Sequence, residues 1–580
     1  MYHLRAMARL LVIPLVLLAL LGGAVIWSGA MGSRDAGADF VFVNRGDIKT
    51  LDPNSISWLQ DIRVAYGLWE GLCTLEPKAG DPDELVVVNG AAERIDVSDD
   101  ATVYTFHLRP DGRWTNGDPV VAGDFVFAWR RMLEEPADYT YLHYYIKGAR
   151  EYQQAYAARV EAVRANRATT QPAADYATVG VTALDRLTLR VTLNHPVTFF
   201  RDLVAFPPFF PLHAGSMKSF RVVDKATGHV TYRKAFTHPP HLVGNGPFRL
   251  AEWVLRKRLR LAASEHYWDR ARVKSRVVDV LSFQDPQTSY LKYETDDVDW
   301  LAEVANDTAA ELKKRGRKDV HTFPGFGTYF YSINCQDKLP GGAANPLRDA
   351  RVRRALALAV DRKPLVDKIG LIGQPPATSF VPPGLFAGYP EPQAPGYEPD
   401  TARRLLAEAG YPGGKGLPII SLIYNTEGDH VLYAQNVAKQ WGDVLGVRIT
   451  LEGLENKKFA TRLHDKDYAI ARASWIGDYP DVSTFTDKYL SDSDNNDSGW
   501  VNKAYDDLCA RAAREANATE RLKLLGQAEQ ILLDEMPIVP VFHYVNAYLI
   551  REGVKGVPLD PRNQVMLKFV QGRSREGGRR

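Results

Sequence analysis

Residues 419–451 read IISLIYNTEGDHVLYAQNVAKQWGDVLGVRITL, and the change of periodicity within them decides the fold class. Residues 419–424 have the pattern of a strand, residues 430–445 of a helix, and residues 447–451 of a returning strand. This β-α-β rhythm is that of an α/β lobe. Working outward, a helix is predicted over 401–409, entered through Pro399-Asp400 and closed by Gly410 with Pro412 beyond. Another is predicted over 350–369, N-capped by Asp349, with Val352, Ala355, Leu356 and Ala359 at helical spacing. Residues 103–108 and 188–193 alternate with period two and read as strands. Residues 151–168, rich in Ala, Arg and Glu, read as a solvated helix with 169–172 as its exit loop. The Pro/Gly-rich stretches 339–346 and 375–395 read as surface loops inside lobes.

Composition limits the function classes. The chain has 580 residues, 45% hydrophobic and 24% charged, which fits folded protein and excludes a largely disordered chain or a multi-span membrane protein. At about 150 residues per domain, three or four domains are expected. Lys and Arg number 72 against 70 Asp and Glu, a net charge of +2, so nucleic acid is not expected as a partner. Aromatics make up 11%, including 27 Tyr and 11 Trp, which suits cores and ligand-lined clefts equally.

At the N-terminus, Arg5 and Arg9 precede an apolar run from Leu10 to Trp27, followed by the small residues Ser28-Gly29-Ala30. A cleaved export signal and a retained anchor over residues 1–30 both fit, and either sends the remainder out of the cytoplasm. No cysteine follows the run, which excludes a lipid anchor there. Cys73, Cys335 and Cys509 are far apart, and no CxxC pair exists. Three buried thiols are expected, with one disulfide and a spare thiol as the alternative.

Motifs for catalysis are missing from the sequence. There is no HExxH, GxSxG, Walker loop or GxGxxG, and no nucleophile sits with a base. Gly244-Asn245-Gly246-Pro247 reads as a tight turn, with glycine allowing positive φ. Residues 492–497, DSDNND, resemble the start of a calcium loop. Asp497 and Lys503, however, stand where glycine and glutamate are needed, so a solvated acidic loop is expected. The 13 histidines are scattered, with His430 and His464 in different elements. No enzyme activity, cofactor or metal is predicted.

Four segments carry more specific information. They are Leu51-Asp52-Pro53 with Leu68-Trp69-Glu70-Gly71-Leu72; residues 108–130, LRPDGRWTNGDPVVAGDFVFAWR; residues 351–362, RVRRALALAVDR; and residues 471–481, ARASWIGDYPD. In this order, together with Tyr424-Asn425-Thr426, His430 and the tail segments 539–541 and 544–547, they resemble the extracellular solute-binding proteins of peptide ABC transporters, in the oligopeptide-binding branch. The resemblance runs from about residue 40 to about residue 570. It implies an α/β, two-lobed periplasmic-binding-protein fold with two hinge strands and an extra small domain on the first lobe. The first lobe would take residues 40–76, 197–329 and 545–580, the accessory domain 77–196, and the second lobe 330–544. The resemblance further implies a monomer that binds short peptides and delivers them to membrane permease subunits.

A peptide stripped of water needs a carboxylate for its ammonium, cations for its carboxylate, and partners for its amides. By the resemblance, Asp478 takes the ammonium, while Arg472 and His430 take the carboxylate end, where the planar guanidinium can grip both oxygens. Trp475 and Ser474 line the site in the same motif. Tyr139 and Tyr141 fall near a tyrosine that contacts peptide in that family, with different local spacing. The sequence also departs from the family. Leu463 stands where relatives have arginine, so either the adjacent Arg462 substitutes or a cationic contact is lost. Ser57, beside Trp58 and Leu59, replaces a pocket glutamate, and Ile476 occupies one position of the family's disulfide. Three alternatives stay open: a membrane-anchored sensor or scavenger of the same fold; an exported hydrolase; or a binder of cell-wall peptides, nickel complexes or sugars.

Overall fold

The structure is a computed structural model and describes residues 37–166 and 174–573. The expected export segment and the exit loop at 169–172 lie outside the described residues.

Ten strands form one sheet that runs through both lobes. In chain order they are β1 (Phe40–Arg45), β2 (Phe248–Val254), β3 (Arg258–Ala263), β4 (Val277–Phe283), β5 (Trp300–Leu301), β6 (Val320–Ile333), β7 (Ile420–Asn425), β8 (Ile449–Leu454), β9 (Ile470–Ile476) and β10 (Ile538–Ile550). Their spatial order is β2-β3-β4-β1-β5-β10-β6-β9-β7-β8. In the first lobe β1 lies parallel between β4 and β5; in the second, β7 lies parallel between β8 and β9. Each is the buried, apolar kind of strand that parallel neighbours on both sides require. The long strands β6 and β10 pair antiparallel with each other, from Val320↔Leu549 in the first lobe to Ser332↔Ile538 in the second. They are the two hinge strands. Between Pro324 and Thr328 their register shifts, and the chain there reads Pro324-Gly325-Phe326-Gly327. A Cβ on Gly325 would come 2.8 Å from that of Tyr544, and one on Gly327 would collide with the Trp475 carbonyl, so both positions need glycine for close backbone approach.

Each lobe has its own core. Phe40, Phe42, Phe248, Leu261 and Trp300 belong to the first, which continues into the accessory domain through Phe106, Trp129 and Phe200. The accessory domain's sheet is antiparallel and pairs Ala92–Val97, Val103–Leu108, Thr188–Thr192 and Val181–Ala183 in that order. Helix α1 (Ala122–Glu134) packs Phe125, Ala128, Trp129 and Met132, one helical stripe, into that core. Helix α2 (Ala149–Arg164) follows, close to the predicted span. In the second lobe helix α3 (His430–Leu445) buries Tyr433, Ala434, Val437, Trp441 and Leu445 and ends at Gly446, whose φ is 68°. The Trp441 indole N–H donates to Leu356 O at 2.8 Å, fixing α3 on its neighbour.

Three sequence expectations change, and the thiol expectation holds except that Cys335 is half-buried. The helix predicted over 350–369 stops at Leu358 and restarts at Lys363–Leu365, followed by a wide turn over Val366–Gly370. Pro364 cannot donate to the Val360 carbonyl and would clash with it. The buried Arg362 serves that carbonyl instead at 3.1 Å, and Pro540 O at 2.7 Å. The turn at Gly244-Asn245-Gly246 needs no positive φ. Its glycines lie against the Leu68–Trp69 backbone, where a Cβ would collide. Cys73 and Cys509 are buried and Cys335 is half-buried, and all three are free thiols. Residues 375–395 are not a plain surface loop, since Ala377, Phe380 and Val381 are buried.

Glu529 holds that last segment in place. Its carboxylate accepts the Phe380 N–H at 2.7 Å, the Val381 N–H at 2.8 Å and the Tyr389 hydroxyl at 2.5 Å. Burial pushes its pKa up to about 7, against the three hydrogen bonds that act to lower it. The folded protein therefore keeps a proton that the unfolded chain has lost from about pH 4.5 upward. Stability contributed by this group is present at low pH and falls as pH rises to about 7, by up to roughly 3 kcal/mol. Glu529→Gln keeps the two accepted N–H bonds and removes the charge. Its melting temperature is expected to change less between pH 5 and pH 8 than that of the parent, and equal slopes would refute the assignment.

Candidate functional site

In open α/β sheets ligands sit outside the carboxyl ends of parallel strands, where the strand order reverses. Here β7 ends at Asn425, the chain turns through 426–429, and His430 opens α3. Strand β9 ends at Ile476, two residues before Asp478. The first lobe offers the end of β1, followed by the segment carrying Ser57 and the half-exposed Trp58.

Along β9 successive side chains alternate, so Arg472, Ser474 and Ile476 share one face while Ala471 and Ala473 are buried on the other. Arg472 donates from Nη2 to the Tyr544 hydroxyl at 3.3 Å, and its guanidinium lies 4.9 Å from the Tyr329 ring centroid. Its Nε is buried and makes no hydrogen bond among the described residues. Around it stand rings from separate elements. Tyr329 of β6 stacks on Phe542 of β10 at 4.7 Å, Tyr433 of α3 lies 5.2 Å from Tyr329, and the His430 ring is 5.6 Å from Tyr329. Tyr544 adjoins Phe542 at 5.4 Å. Arg472 and His430 thus both lie against the Tyr329 ring, in an aromatic nest. Asp429, one residue earlier, has its carboxyl raised first by burial and then by the charge of Asp307, which comes from the first lobe. The lobes face each other at this end.

At the other end Asp478 is half-buried. Its N–H donates to Thr484 Oγ1 at 2.8 Å, and its carboxylate accepts hydrogen bonds from the hydroxyls of Tyr141 and Tyr139. Those tyrosines flank the start of the turn Thr140–Tyr145 in the accessory domain, so Asp478 is reached from across the cleft. Burial pushes its pKa up to about 6, and the two phenols and the Lys488 charge pull the other way. The strand path from Arg472 to Asp478 covers six residues, about 20 Å. A cation-binding end and an anion-binding end therefore lie on one rim, with Ser474 half-buried between them.

Trp475 falls on the opposite side of the strand. Its indole N–H donates to Thr484 O at 2.7 Å, and its ring lies 4.7 Å from the Lys488 ammonium. Arg462 is held by Glu452 at 2.8 Å and Asp467 at 3.1 Å, and Leu463 packs with Ile423 and Phe459. The Arg462 guanidinium is thus already paired with two carboxylates of its own lobe. No single stretch of sequence marks the aromatic nest: Tyr544 lies in a tail motif, and Tyr329 and Tyr331 alternate along one strand.

Comparison with known proteins agrees with this architecture. The periplasmic oligopeptide-binding protein OppA of Salmonella typhimurium is 33% identical over 532 residues, covering 90% of this chain and 91% of the relative. The solved Escherichia coli murein tripeptide binding protein MppA superposes with a TM-score of 0.76 at 30% identity, covering 93% and 99% of the two chains. Haemophilus influenzae OppA, solved in complex with the peptide RPPGFSPFR, gives a TM-score of 0.75 at 29% identity over 93% and 100%. The model for bacterial extracellular solute-binding proteins, family 5, matches residues 86–497. With its two lobes, two hinge strands and polar-ended rim, the chain belongs to the bacterial extracellular solute-binding proteins of family 5.

Proposed function

We propose that this protein binds short peptides between its lobes, outside the cytoplasm, as a monomer, and presents them to the permease subunits of an ABC transporter. Asp478 receives the peptide ammonium in place of the tyrosine hydroxyls, and Arg472 with His430 receives the carboxylate or a residue near it. Ser474 lies along the peptide between them. Trp475 supports the rim from behind. The single observation that carries this reading is the Asp478–Arg472 pair, opposite in charge and set about 20 Å apart on one rim. An extended peptide of roughly four to six residues spans that distance. The relatives' names, which speak of oligopeptides and a murein tripeptide, support the ligand class. Export rests on the family's extracellular description and on the apolar run between Leu10 and Trp27.

Because a ligand touching both lobes binds the closed form better, it shifts the open–closed equilibrium, and the closed complex is the form a permease recognises. The test is mass spectrometry of material released by denaturant from protein purified from its own host. Intact peptides of a few residues are expected. Recovery of cleaved fragments from an added defined peptide would indicate a hydrolase, and recovery of sugars or metal complexes would overturn the ligand class.

A further inference from the structure

The lobes also meet outward from the Asp478 end of the rim, through side chains and one backbone carbonyl. Every contact on one side comes from the accessory domain or the segment just after it. The Tyr145 hydroxyl donates to Asp487 Oδ2 at 2.7 Å and lies 3.1 Å from the Tyr479 hydroxyl. The Phe199 ring stacks on that of Tyr479, with centroids 4.3 Å apart and planes within 9°. At the outer edge Arg150, near the start of α2, donates from Nη1 to Asp492 Oδ2 at 2.6 Å and from Nη2 to Asp492 O at 3.4 Å. The Tyr144 ring lies 5.2 Å from that guanidinium.

The second-lobe half of this contact is built to be rigid. Asp481 is gripped by Arg521 through two bonds of 2.8 Å. The acidic stretch expected to be a solvated loop is anchored as well. Lys488, buried, donates to Asn495 O at 2.5 Å and Asp497 Oδ2 at 3.0 Å, and Asn496 and Ser498 are buried. Asp492 is thereby presented outward, toward Arg150. None of these groups is covalently or by strand pairing tied to its partner across the cleft, so each contact exists only when the lobes are together. Opening returns Arg150, Asp492, Asp487 and the Tyr145 hydroxyl to water.

We propose that the accessory domain is a closing clasp, in which Tyr145, Arg150 and Phe199 dock on Tyr479, Asp487 and Asp492 and set how much of the protein is closed before any peptide arrives. The apparent dissociation constant of a ligand is its intrinsic value divided by the fraction of protein in the binding-competent state. The Arg150–Asp492 edge of the clasp touches none of the residues assigned to the ligand, so it scales the affinity of every peptide by one factor and leaves the ranking of peptides unchanged. It tunes affinity without tuning specificity. The affinity part rests on the peptide-binding reading above; the closure part does not.

Arg150→Glu places two negative charges at the outer edge, and the double variant Arg150→Glu with Asp492→Arg restores an opposite pair. Small-angle scattering of protein stripped of ligand should show a larger radius of gyration for Arg150→Glu than for the parent, and recovery in the double variant. An unchanged radius in Arg150→Glu overturns the clasp whatever peptides do. In calorimetry with three peptides of different sequence, Arg150→Glu should weaken binding by one common factor, roughly three- to tenfold. A factor that differs between peptides would instead make Arg150 a ligand contact and overturn the proposal. Thermal denaturation of the single variant should stay near that of the parent, since both side chains of this pair are solvent-accessible.

Discussion

Asp478→Ala is expected to weaken the binding of peptides with a free amino terminus by about 2–5 kcal/mol, from roughly thirty-fold to more than a thousand-fold. The cost arises because the bound ammonium would lose its one fixed anion inside a closed cleft, with the phenols of Tyr139 and Tyr141 left as neutral partners. The same residue predicts a chemical complement. A peptide whose amino terminus is acetylated should bind the parent weakly and should lose little more in the variant. It also predicts a pH dependence. Burial holds the Asp478 carboxyl at about 6, with Tyr139, Tyr141 and Lys488 as the groups acting against it. The site therefore meets an ammonium as a carboxylate above that pH and as a neutral acid below it. Affinity should fall as pH drops through 6, by up to about tenfold per unit, because each unit then costs a proton release. Calorimetry at pH 5, 6 and 7.5 checks this, and an affinity indifferent to both Asp478 and pH would refute the assignment.

The second large effect concerns stability. Arg131→Ala should destabilise the protein by about 3–5 kcal/mol, because it leaves Asp52 as a buried charge without its partner. The pair is two-pronged, Nη1 to Oδ1 at 2.8 Å and Nη2 to Oδ2 at 2.7 Å, with Asn54 Oδ1 accepting a further bond at 3.1 Å. Both side chains are more than nine-tenths buried. It joins helix α1 of the accessory domain to the segment that follows β1 at the cleft rim, so its loss should loosen that rim as well. Replacing both partners, as in Asp52→Leu with Arg131→Met, should recover much of the loss, since an apolar pair carries no desolvation penalty. Denaturant unfolding measures both. A single-variant cost below about 1 kcal/mol would mean that solvent reaches the pair.

Much of the second lobe was legible because its signals are local. The run at 419–451 changes period where strand gives way to helix, and Gly446 ends the helix where a left-handed residue is wanted. The break after Leu358 was hidden by a continuous helical pattern of Ala and Leu. Pro364 was the visible warning, and the buried Arg362 that serves the freed carbonyl was not visible at all. The single sheet through both lobes was beyond local pattern, since it pairs Val41 with Asp279 and Tyr329 with Phe542, hundreds of residues apart. At the site, Asp478, Arg472 and His430 could be named from motifs, because each motif is a short string. The aromatic nest could not, because its rings come from β6, α3 and β10. Tyr141 reaches Asp478 from the turn Thr140–Tyr145 although its local spacing differs from the family's.

The division of the sheet has a consequence for the order in which the chain can be made. Residues 334–537 leave one hinge strand and return by the other, so the second lobe's core draws almost wholly on an uninterrupted stretch of chain. The first lobe is different. Its core includes Val565, Met566, Leu567 and Val570, packed with residues near the beginning, and the Val570 carbonyl accepts the Ser275 hydroxyl at 2.7 Å. At about 5–20 residues per second of synthesis, those last side chains appear roughly ten to fifty seconds after Phe323. Through that interval the amino-terminal half carries an unfinished apolar surface, and by its end, once Val539, Val541 and Phe542 have been made, the later lobe can already be complete. Assembly therefore runs against the direction of synthesis, and the first lobe made is the last to mature.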